Sequence, residues 1–135
     1  MLGLRALGES KLKSLLFSFQ GRVNRAPYWY VHLIILLAEV AFLAAILIPA
    51  ILANDPEMLT NSAVAINLVG ALMLIPLFWI GLALTVKRCH DRDKTGWFIF
   101  IMLVPFIGGI WLFIELGLLP GTPGPNRFGP DPLGY

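Results

Sequence analysis

Charged residues are scarce in this sequence, making up 13% of its 135 residues against 58% for hydrophobic ones. A soluble domain carries about a quarter charged residues, so this chain has too little polar surface to coat a globule in water. Cysteine is scarcer still, because Cys89 is the only one, and an intrachain disulfide is excluded. The net charge of +2 is small, and we expect neither a nucleic-acid partner nor a cofactor.

The pattern of a cleavable secretory signal is also missing. The first long apolar run begins only near Tyr28, after 27 residues of mixed character. Both this leading segment and the run itself are longer than the corresponding parts of a signal peptide. We therefore expect the run to remain in the protein as a membrane anchor.

Long apolar stretches occur three times, each with the roughly 20 residues needed to cross a hydrocarbon core of ~30 Å. They are residues 28–52 with Glu39, residues 63–86 with no charge, and residues 97–119 with Glu115. Almost no polar residues remain to cover these stretches in water. The pattern predicts an all-α integral membrane protein with three spans.

Lysine and arginine are distributed unevenly among the connecting segments. Five precede the first predicted span, namely Arg5, Lys11, Lys13, Arg22 and Arg25. The acidic connection over residues 54–62 has none, and the connection over residues 87–94 has four. Basic residues stay on the cytoplasmic side of membrane proteins. We therefore expect the N-terminus and residues 87–94 in the cytoplasm and residues 54–62 outside.

Pro105 and the pair Gly108 and Gly109 interrupt the third apolar stretch near its middle. A straight helix over residues 97–119 would be ~34 Å long, enough to cross, with a kink at the proline. A re-entrant hairpin at Pro105–Gly109 would instead return the C-terminal tail to the cytoplasm. We favour the straight, kinked span and keep the re-entrant hairpin as the alternative.

Two segments lie outside the predicted spans, within what we expect to be a single membrane domain over residues 1–135. Residues 1–21 place most of their large apolar side chains on half of a helical wheel. This pattern is typical of an amphipathic helix on the membrane surface or packed on protein, ending at Gly21. Residues 120–135 contain five prolines and four glycines, so we expect turns, an extended strap or a flexible tail.

The connection over residues 87–94 combines four cations with two acids, a histidine and a cysteine. One interpretation is a positive-inside anchor in which Asp91 bridges two arginines at helical spacing. The other is a binding site for a phosphate or anionic lipid headgroup, because the planar fork of arginine binds phosphate oxygens in pairs. The candidate residues for this site are Arg22, Arg25, Arg88, His90 and Arg92.

Metal binding and cysteine catalysis are not expected in this connection. Cys89 and His90 are adjacent, so their side chains point in different directions on a helix or a strand. Zinc usually takes three or four protein ligands, and a catalytic cysteine needs its base within hydrogen-bond reach.

Glu39 lies close to the midpoint of the first span, where a carboxylate is costly. Three interpretations remain open. A protonated Glu39 donates to the carbonyl group of Leu72, which lacks its usual donor because Pro76 has no N–H. Alternatively, Glu39 handles protons or ions, or it meets a partner subunit.

Three motifs occur in a distinctive order. They are FQGR at residues 19–22 with Arg25 and YW at residues 28–29, KRCHDRDKTGW at residues 87–97, and PFIG at residues 105–108 followed by GTPGPNRFGPDP at residues 121–132. Their order and spacing resemble a large family of small bacterial inner-membrane proteins, domain-of-unknown-function family 805, over roughly residues 17–132. The resemblance implies a location and a topology class but no activity, and Glu39 is not part of the pattern.

The chain is too small to form a secondary transporter alone, and no catalytic constellation is evident. We therefore expect a non-enzymatic accessory or scaffold subunit of a larger inner-membrane complex, or self-association. One alternative is an anionic-lipid binding protein that uses residues 87–97. Another is a homo-oligomeric ion or proton path through Glu39.

Overall fold

The structure, a computed structural model, describes residues 11–134. Within this range the secondary structure is helical apart from an isolated bridge between Asn126 and Gly129. Contacts divide the chain into two compact units. The first, called the cap here, takes the described parts of residues 1–30 and 80–135, and the second is the two-helix unit, Val31–Trp79. The prediction of an all-α protein is confirmed.

Two long helices, α1 over Arg25–Ala53 and α2 over Pro56–Asp91, are long and apolar enough to cross a membrane. Only Asn54 and Asp55 connect them, so the predicted connection over residues 54–62 is too long. Proline fits the first turn of a helix, which lets α2 begin at Pro56. Helix α2 also continues past its predicted end to Asp91, because cations in its last turn suit the negative end of the helix dipole.

The exterior of both helices is apolar. None of the most apolar 18-residue window of either helix is buried inside the protein. Leu52 is 79% exposed and Leu72 is 71% exposed. Each large side chain left in water forfeits about 1.5–3 kcal/mol of burial energy, so this surface requires a lipid or protein environment.

The N-terminal helix is shorter than predicted within the described chain. Residues 11–17 are helical, and a bend follows at Gly21, whose φ of +88° suits glycine. The predicted end at Gly21 is therefore wrong, because irregular backbone already separates it from the helix. The remainder of the predicted helix, residues 1–10, lies outside the described residues.

The third apolar stretch is a hairpin. A 3-10 helix over Gly96–Leu103 leads into a turn at Phe106, whose φ is +64°. The α-helix Ile107–Leu112, called α3, then continues as the π-helical turn Phe113–Leu118. We call residues 96–118 the returning segment.

Contacts of the returning segment exclude a straight third span. Arg92 lies 2.9 Å from Glu115, whereas a straight helix would hold residues 97 and 115 about 27 Å apart. The prediction of a straight span over residues 97–119 is therefore wrong, and the hairpin at Pro105–Gly109 is what the structure contains. Non-local ion pairs outweigh the continuous hydropathy of the stretch.

Gly108 allows the two halves of the hairpin to pack closely. A β-carbon at Gly108 would collide with the carbonyl oxygen of Ile101 in the 3-10 helix, whereas one at Gly109 would meet nothing within 4 Å. We expect Gly108→Ala to destabilise the protein by roughly 1–3 kcal/mol through overpacking against backbone. Thermal unfolding in detergent measures this loss, with Gly109→Ala as the matched control. Equal melting temperatures for the two variants would contradict the packing.

The C-terminal tail, residues 120–134, forms turns that are fastened to the end of α2. Gly124 and Gly129 adopt φ values of +71° and +138°, which other residues rarely adopt. Thr122 donates from both its amide and its hydroxyl to the carbonyl group of Asp91. Of the predicted alternatives, the ordered series of turns describes this tail.

Candidate functional site

Asp91, the last residue of α2, is at the centre of the cap's polar contacts. Its buried carboxylate lies 3.0 Å from Arg22 Nη2 and also pairs with Arg88. Gly121 packs against the carboxylate so closely that a β-carbon there would collide with it. Since all three charged side chains are almost completely excluded from solvent, each depends on the others to offset its lost hydration.

Arg22 connects this centre to the tail. Its Nη1 donates to the carbonyl group of Gly124 at 2.6 Å, and its Nη2 donates to that of Thr122 at 2.6 Å. Its Nε donates to Asp91 at 3.1 Å. One guanidinium group therefore joins the segment before α1, the end of α2 and the tail.

The returning segment ends in carbonyl groups that helix geometry leaves without amide donors. These are the carbonyl groups of residues 116–118 and of the next residue, Leu119, and side chains of α1 and α2 donate to all of them. Arg88 of α2 donates to the carbonyl groups of Leu116 and Leu119. From α1, Trp29 donates to Gly117 at 3.0 Å. Arg25, also of α1, donates to Leu118 at 2.8 Å. Cations at the negative end of a helix are also favoured by its dipole. These donors determine where the returning segment ends.

A second group of ion pairs forms around Glu115, which is buried in the π-helical turn. Arg92 lies 2.9 Å from its carboxylate and Lys94 lies 3.5 Å from it. Arg92 also donates to the carbonyl group of Pro120. The returning segment thus brings its single acid onto the cations that follow α2.

Lys87 holds the end of the N-terminal helix. Its ammonium group donates to the carbonyl groups of Ser14 and Leu15, where the helix over residues 11–17 is about to end. Lys87 follows the apolar run, which ends at Val86. Burial lowers the pKa of Lys87 to about 8, so the ammonium form still predominates at neutral pH.

His90 is stacked and hydrogen-bonded within the cap. Its ring lies parallel to that of Phe128 with the centroids 4.0 Å apart, and its Nδ1 is 3.1 Å from the carbonyl oxygen of Gly21. Burial lowers the pKa of His90, outweighing the opposite effect of this hydrogen bond. The ring is therefore neutral at pH 7, and Nδ1–H donates to Gly21.

Cys89 belongs to the apolar core of the cap, beside Leu112 and Leu116. Burial raises the pKa of its thiol to about 12. The protonated thiol is a poor nucleophile and a poor metal ligand. Across residues 11–134, no group of three or more His, Cys, Asp or Glu side chains is arranged to hold a metal ion.

The structure brings all five predicted headgroup-binding residues to the cap, where most of their donors already have partners in the protein. The sequence spacing predicted that Asp91 bridges Arg88 and Arg92. The pairing with Arg88 is confirmed, and the pairing with Arg92 is wrong. Arg22 replaces Arg92 as the second partner, because Arg92 pairs with an acid of the returning segment. Arg25 alone among the five is exposed at its surface and donates one hydrogen bond. Headgroup binding by these residues stays a prediction, and an anion would compete with the internal contacts.

Glu39 lines a groove of about 390 Å³ within the two-helix unit. Gly70 of α2 lies opposite Phe42 in this groove, because a β-carbon added at Gly70 would lie 3.7 Å from the ring of Phe42. Glu39 is half-buried and has no hydrogen bond or ion pair to any residue from 11 to 134. The predicted bond to the carbonyl group of Leu72 is therefore not formed in this structure.

Several residues of the cap were not singled out from the sequence. Trp29 and Thr122 hold the returning segment and the tail, and the side-chain amide of Asn126 donates to the carbonyl group of His90 at 2.8 Å. Each lies inside one of the three motifs. The motifs were therefore the available signal, since nothing in hydropathy or charge marks these residues.

Known proteins similar to this chain include inner-membrane proteins. The chain matches the family described as "Protein of unknown function (DUF805)" over residues 16–130. It is 36% identical to the inner membrane protein YhaH of Escherichia coli strain K12 over 116 residues, covering 84% of this chain and 86% of the relative. It is 34% identical to the inner membrane protein YhaI of the same strain over 114 residues, covering 84% and 85%.

A more distant relative is the uncharacterized protein YiiR of Escherichia coli strain K12, 28% identical over 145 residues, which cover 89% of each chain. No solved structure matches the chain. The family match includes the first two motifs on which the resemblance was based and all but the last two residues of the third. The chain therefore belongs to the DUF805 family of membrane proteins.

Proposed function

We propose that this chain is a non-enzymatic accessory subunit of a larger assembly in the bacterial inner membrane. The observation that carries the proposal is Glu39, a carboxyl group in the middle of an apolar helix that lines an open groove. Within residues 11–134 it has no hydrogen-bonding or ionic partner. An ionisable group at such a depth is costly unless protein surrounds it. A helix of another subunit in the groove would supply that surrounding.

The orientation rests on charge. The cap contains the basic residues that precede α1 and follow α2, whereas Asp55 and Glu57 lie at the opposite ends of these helices. By the positive-inside rule, the cap lies in the cytoplasm and the connection between the helices lies outside. The names of the relatives support the inner membrane as the location.

The groove suits a helix that offers a polar side chain. Ala38, Gly70 and Ala71 are small enough to let another backbone approach closely. The side-chain nitrogen of Asn67 donates to the carbonyl group of Ala63 at 2.7 Å, so its oxygen is free to accept. Glu39 lines the same groove as Asn67, so a polar side chain of another helix would find both. A second copy of the chain offers the same pair, which makes self-association an outcome of the test.

The cap supports an accessory role by a different argument. Its buried cations donate to carboxylates and carbonyl groups of the same chain, which stabilises the ends of α1, α2 and the returning segment. Buried cations with these partners stabilise the fold of the cap, and their N–H groups already donate to acceptors of the same chain.

The proposal is tested by the mass of the assembly extracted from native membranes into nanodiscs. We expect the wild-type chain at a mass above that of one chain, with a fixed stoichiometry. Glu39→Leu should release a monomer, because leucine is stable against lipid, and Glu39→Gln should retain much of the assembly because an amide still hydrogen-bonds. Glu57→Gln removes an acid outside the groove and is the matched control.

Two results would contradict the proposal. The first is a wild-type chain that is monomeric in native nanodiscs, because an accessory subunit must be bound to another subunit. An assembly that survives Glu39→Leu unchanged does not form through the groove.

A further inference from the structure

A cleft of about 200 Å³ opens in the cap between the start of α1 and the tail. It is lined by Asn24, Arg25, Asp91, Asp131, Leu133 and the tail segment 120–123. A water molecule occupies about 30 Å³ of liquid, so the cleft has room for a small polar group as well as water. The cleft is separate from the groove that carries the proposed function.

Asn24 lines this cleft and carries an acceptor atom, Oδ1, that is shielded from water. Its Oδ1 is the only buried side-chain nitrogen or oxygen atom within residues 11–134 that has no hydrogen-bond partner. An asparagine before a helix usually accepts from the amide of the second or third helical residue. The third residue of α1 is Pro27, which has no N–H. A buried acceptor without a donor is destabilising, and a ligand with an N–H group would remove that cost.

Asp131 has no cationic partner within residues 11–134. Every other acid in the described part of the cap has a basic partner within 4.0 Å, namely Asp91, Asp93 and Glu115. Among these residues the carboxylate of Asp131 accepts only from the backbone amides of Gly124 and Leu133, each at 2.9 Å. Each of its two oxygens keeps a lone pair for a further donor.

Arg25 is a cation of the cap that has no acidic partner within residues 11–134. The other arginines in the described part of the cap form ion pairs, namely Arg22, Arg88, Arg92 and Arg127. Arg25 donates a single hydrogen bond, to Leu118, and most of its donors remain available. Arg25 and Asp131 line the same cleft, yet they do not pair with each other. The space between them suits a group that carries both charges.

We propose that this cleft binds a zwitterionic group with a primary ammonium and a phosphate, as in the headgroup of phosphatidylethanolamine. The ammonium donates to Asp131, and it donates to Asn24 Oδ1 once the Asn24 side chain rotates to turn this oxygen into the cleft. The phosphate accepts from Arg25. The cleft lies at the start of the apolar helix α1, and the exposed aromatic residues Trp29 and Tyr30 follow Arg25 by about one turn of this helix. Aromatic side chains of this kind mark the headgroup level of a bilayer, so a lipid reaches the cleft with its acyl chains along α1. The inference does not depend on the proposed accessory role.

Lipid retention by the purified full-length protein tests this proposal. The protein is equilibrated in detergent with phosphatidylethanolamine, phosphatidylcholine or phosphatidylglycerol of identical acyl chains, and bound lipid is counted by native mass spectrometry. Phosphatidylcholine has the same phosphate but no N–H donor on its nitrogen. We expect about tenfold stronger retention of phosphatidylethanolamine than of phosphatidylcholine, from the loss of charge-assisted hydrogen bonds.

Variants separate the two halves of the site. Asp131→Asn should abolish the preference for the primary ammonium, and Arg25→Gln should weaken retention of both phospholipids because both carry the phosphate. Asn24→Ala should reduce the preference without lowering the melting temperature, since Asn24 Oδ1 has no hydrogen-bond partner among residues 11–134 to lose. Asp93→Asn, in an exposed ion pair outside the cleft, is the control.

Equal retention of phosphatidylethanolamine and phosphatidylcholine would overturn the proposal, as would a preference for anionic phosphatidylglycerol. A preference that survives Asp131→Asn and Asn24→Ala in folded protein would also overturn it. Free phosphoethanolamine distinguishes the source of the ligand. Displacement of the lipid by millimolar phosphoethanolamine supports recognition of the headgroup alone, and retention of the lipid supports a site that also requires its acyl chains.

Discussion

Replacing Asp91 by alanine is expected to destabilise the cap more than any other single substitution of a charged residue. The change leaves Arg22 and Arg88 buried without a counter-charge, and removing one member of a buried ion pair costs about 3–5 kcal/mol. The structure around them cannot open to hydrate both guanidinium groups without releasing the tail and the returning segment. The expected result is a large fall in melting temperature in detergent and a loss of protein from the membrane fraction.

Asp93→Ala is the matched control for this prediction. Asp93 pairs with Arg127 at 3.1 Å, but both side chains are about half exposed, so water replaces the partner. Exposed pairs contribute no more than about 1 kcal/mol. Equal melting temperatures for the Asp91→Ala and Asp93→Ala proteins would contradict the prediction. The buried ion pairs of Asp91 would then not stabilise the cap.

A reporter fused after Tyr135 is expected to report the same side of the membrane as the N-terminus. The tail is bonded to Arg22 and to the end of α2, and both belong to the segments whose basic residues predict a cytoplasmic location. A fused green fluorescent protein should therefore be fluorescent, and a fused alkaline phosphatase should be inactive, because it requires the outside compartment.

The control for the C-terminal reporter is a reporter inserted in the connection between α1 and α2. Alkaline phosphatase inserted between Asn54 and Asp55 should be active, because one crossing separates this connection from the cap. Activity at both positions would show that the returning segment crosses the membrane. The hairpin would then not describe the protein in its bilayer.

The conformation of the returning segment could not be predicted from the amino-acid sequence. Pro105 and the glycine pair at 108–109 indicated an interruption, and both a kink and a hairpin were compatible with them. Hydropathy favoured the straight span, because it adds contributions residue by residue. The choice depended on contacts with distant parts of the chain, such as the bond between Arg92 and Glu115.

The polar centre of the cap was predictable in composition and not in pairing. The basic segments before α1 and after α2 were expected on one side, and the structure brings them together. Helical spacing predicted Arg92 as a partner of Asp91, whereas Arg22 pairs with it. A residue 69 positions away in the chain is invisible to any local pattern. The three motifs contain the residues of this polar centre, but they do not indicate which of these residues contact each other.

The membrane environment of this protein and its helical class follow from the amino-acid sequence alone, because the scarcity of charge and the long apolar runs are additive properties of the chain. Three features became visible only in the folded chain: the third stretch turns back, Asp91 joins Arg22 to Arg88, and Asn24, Arg25 and Asp131 share a cleft without pairing. Hydrogen bonds and ion pairs are directional and act over a few ångströms. Their partners are therefore chosen by the folded geometry and not by the order of residues in the chain.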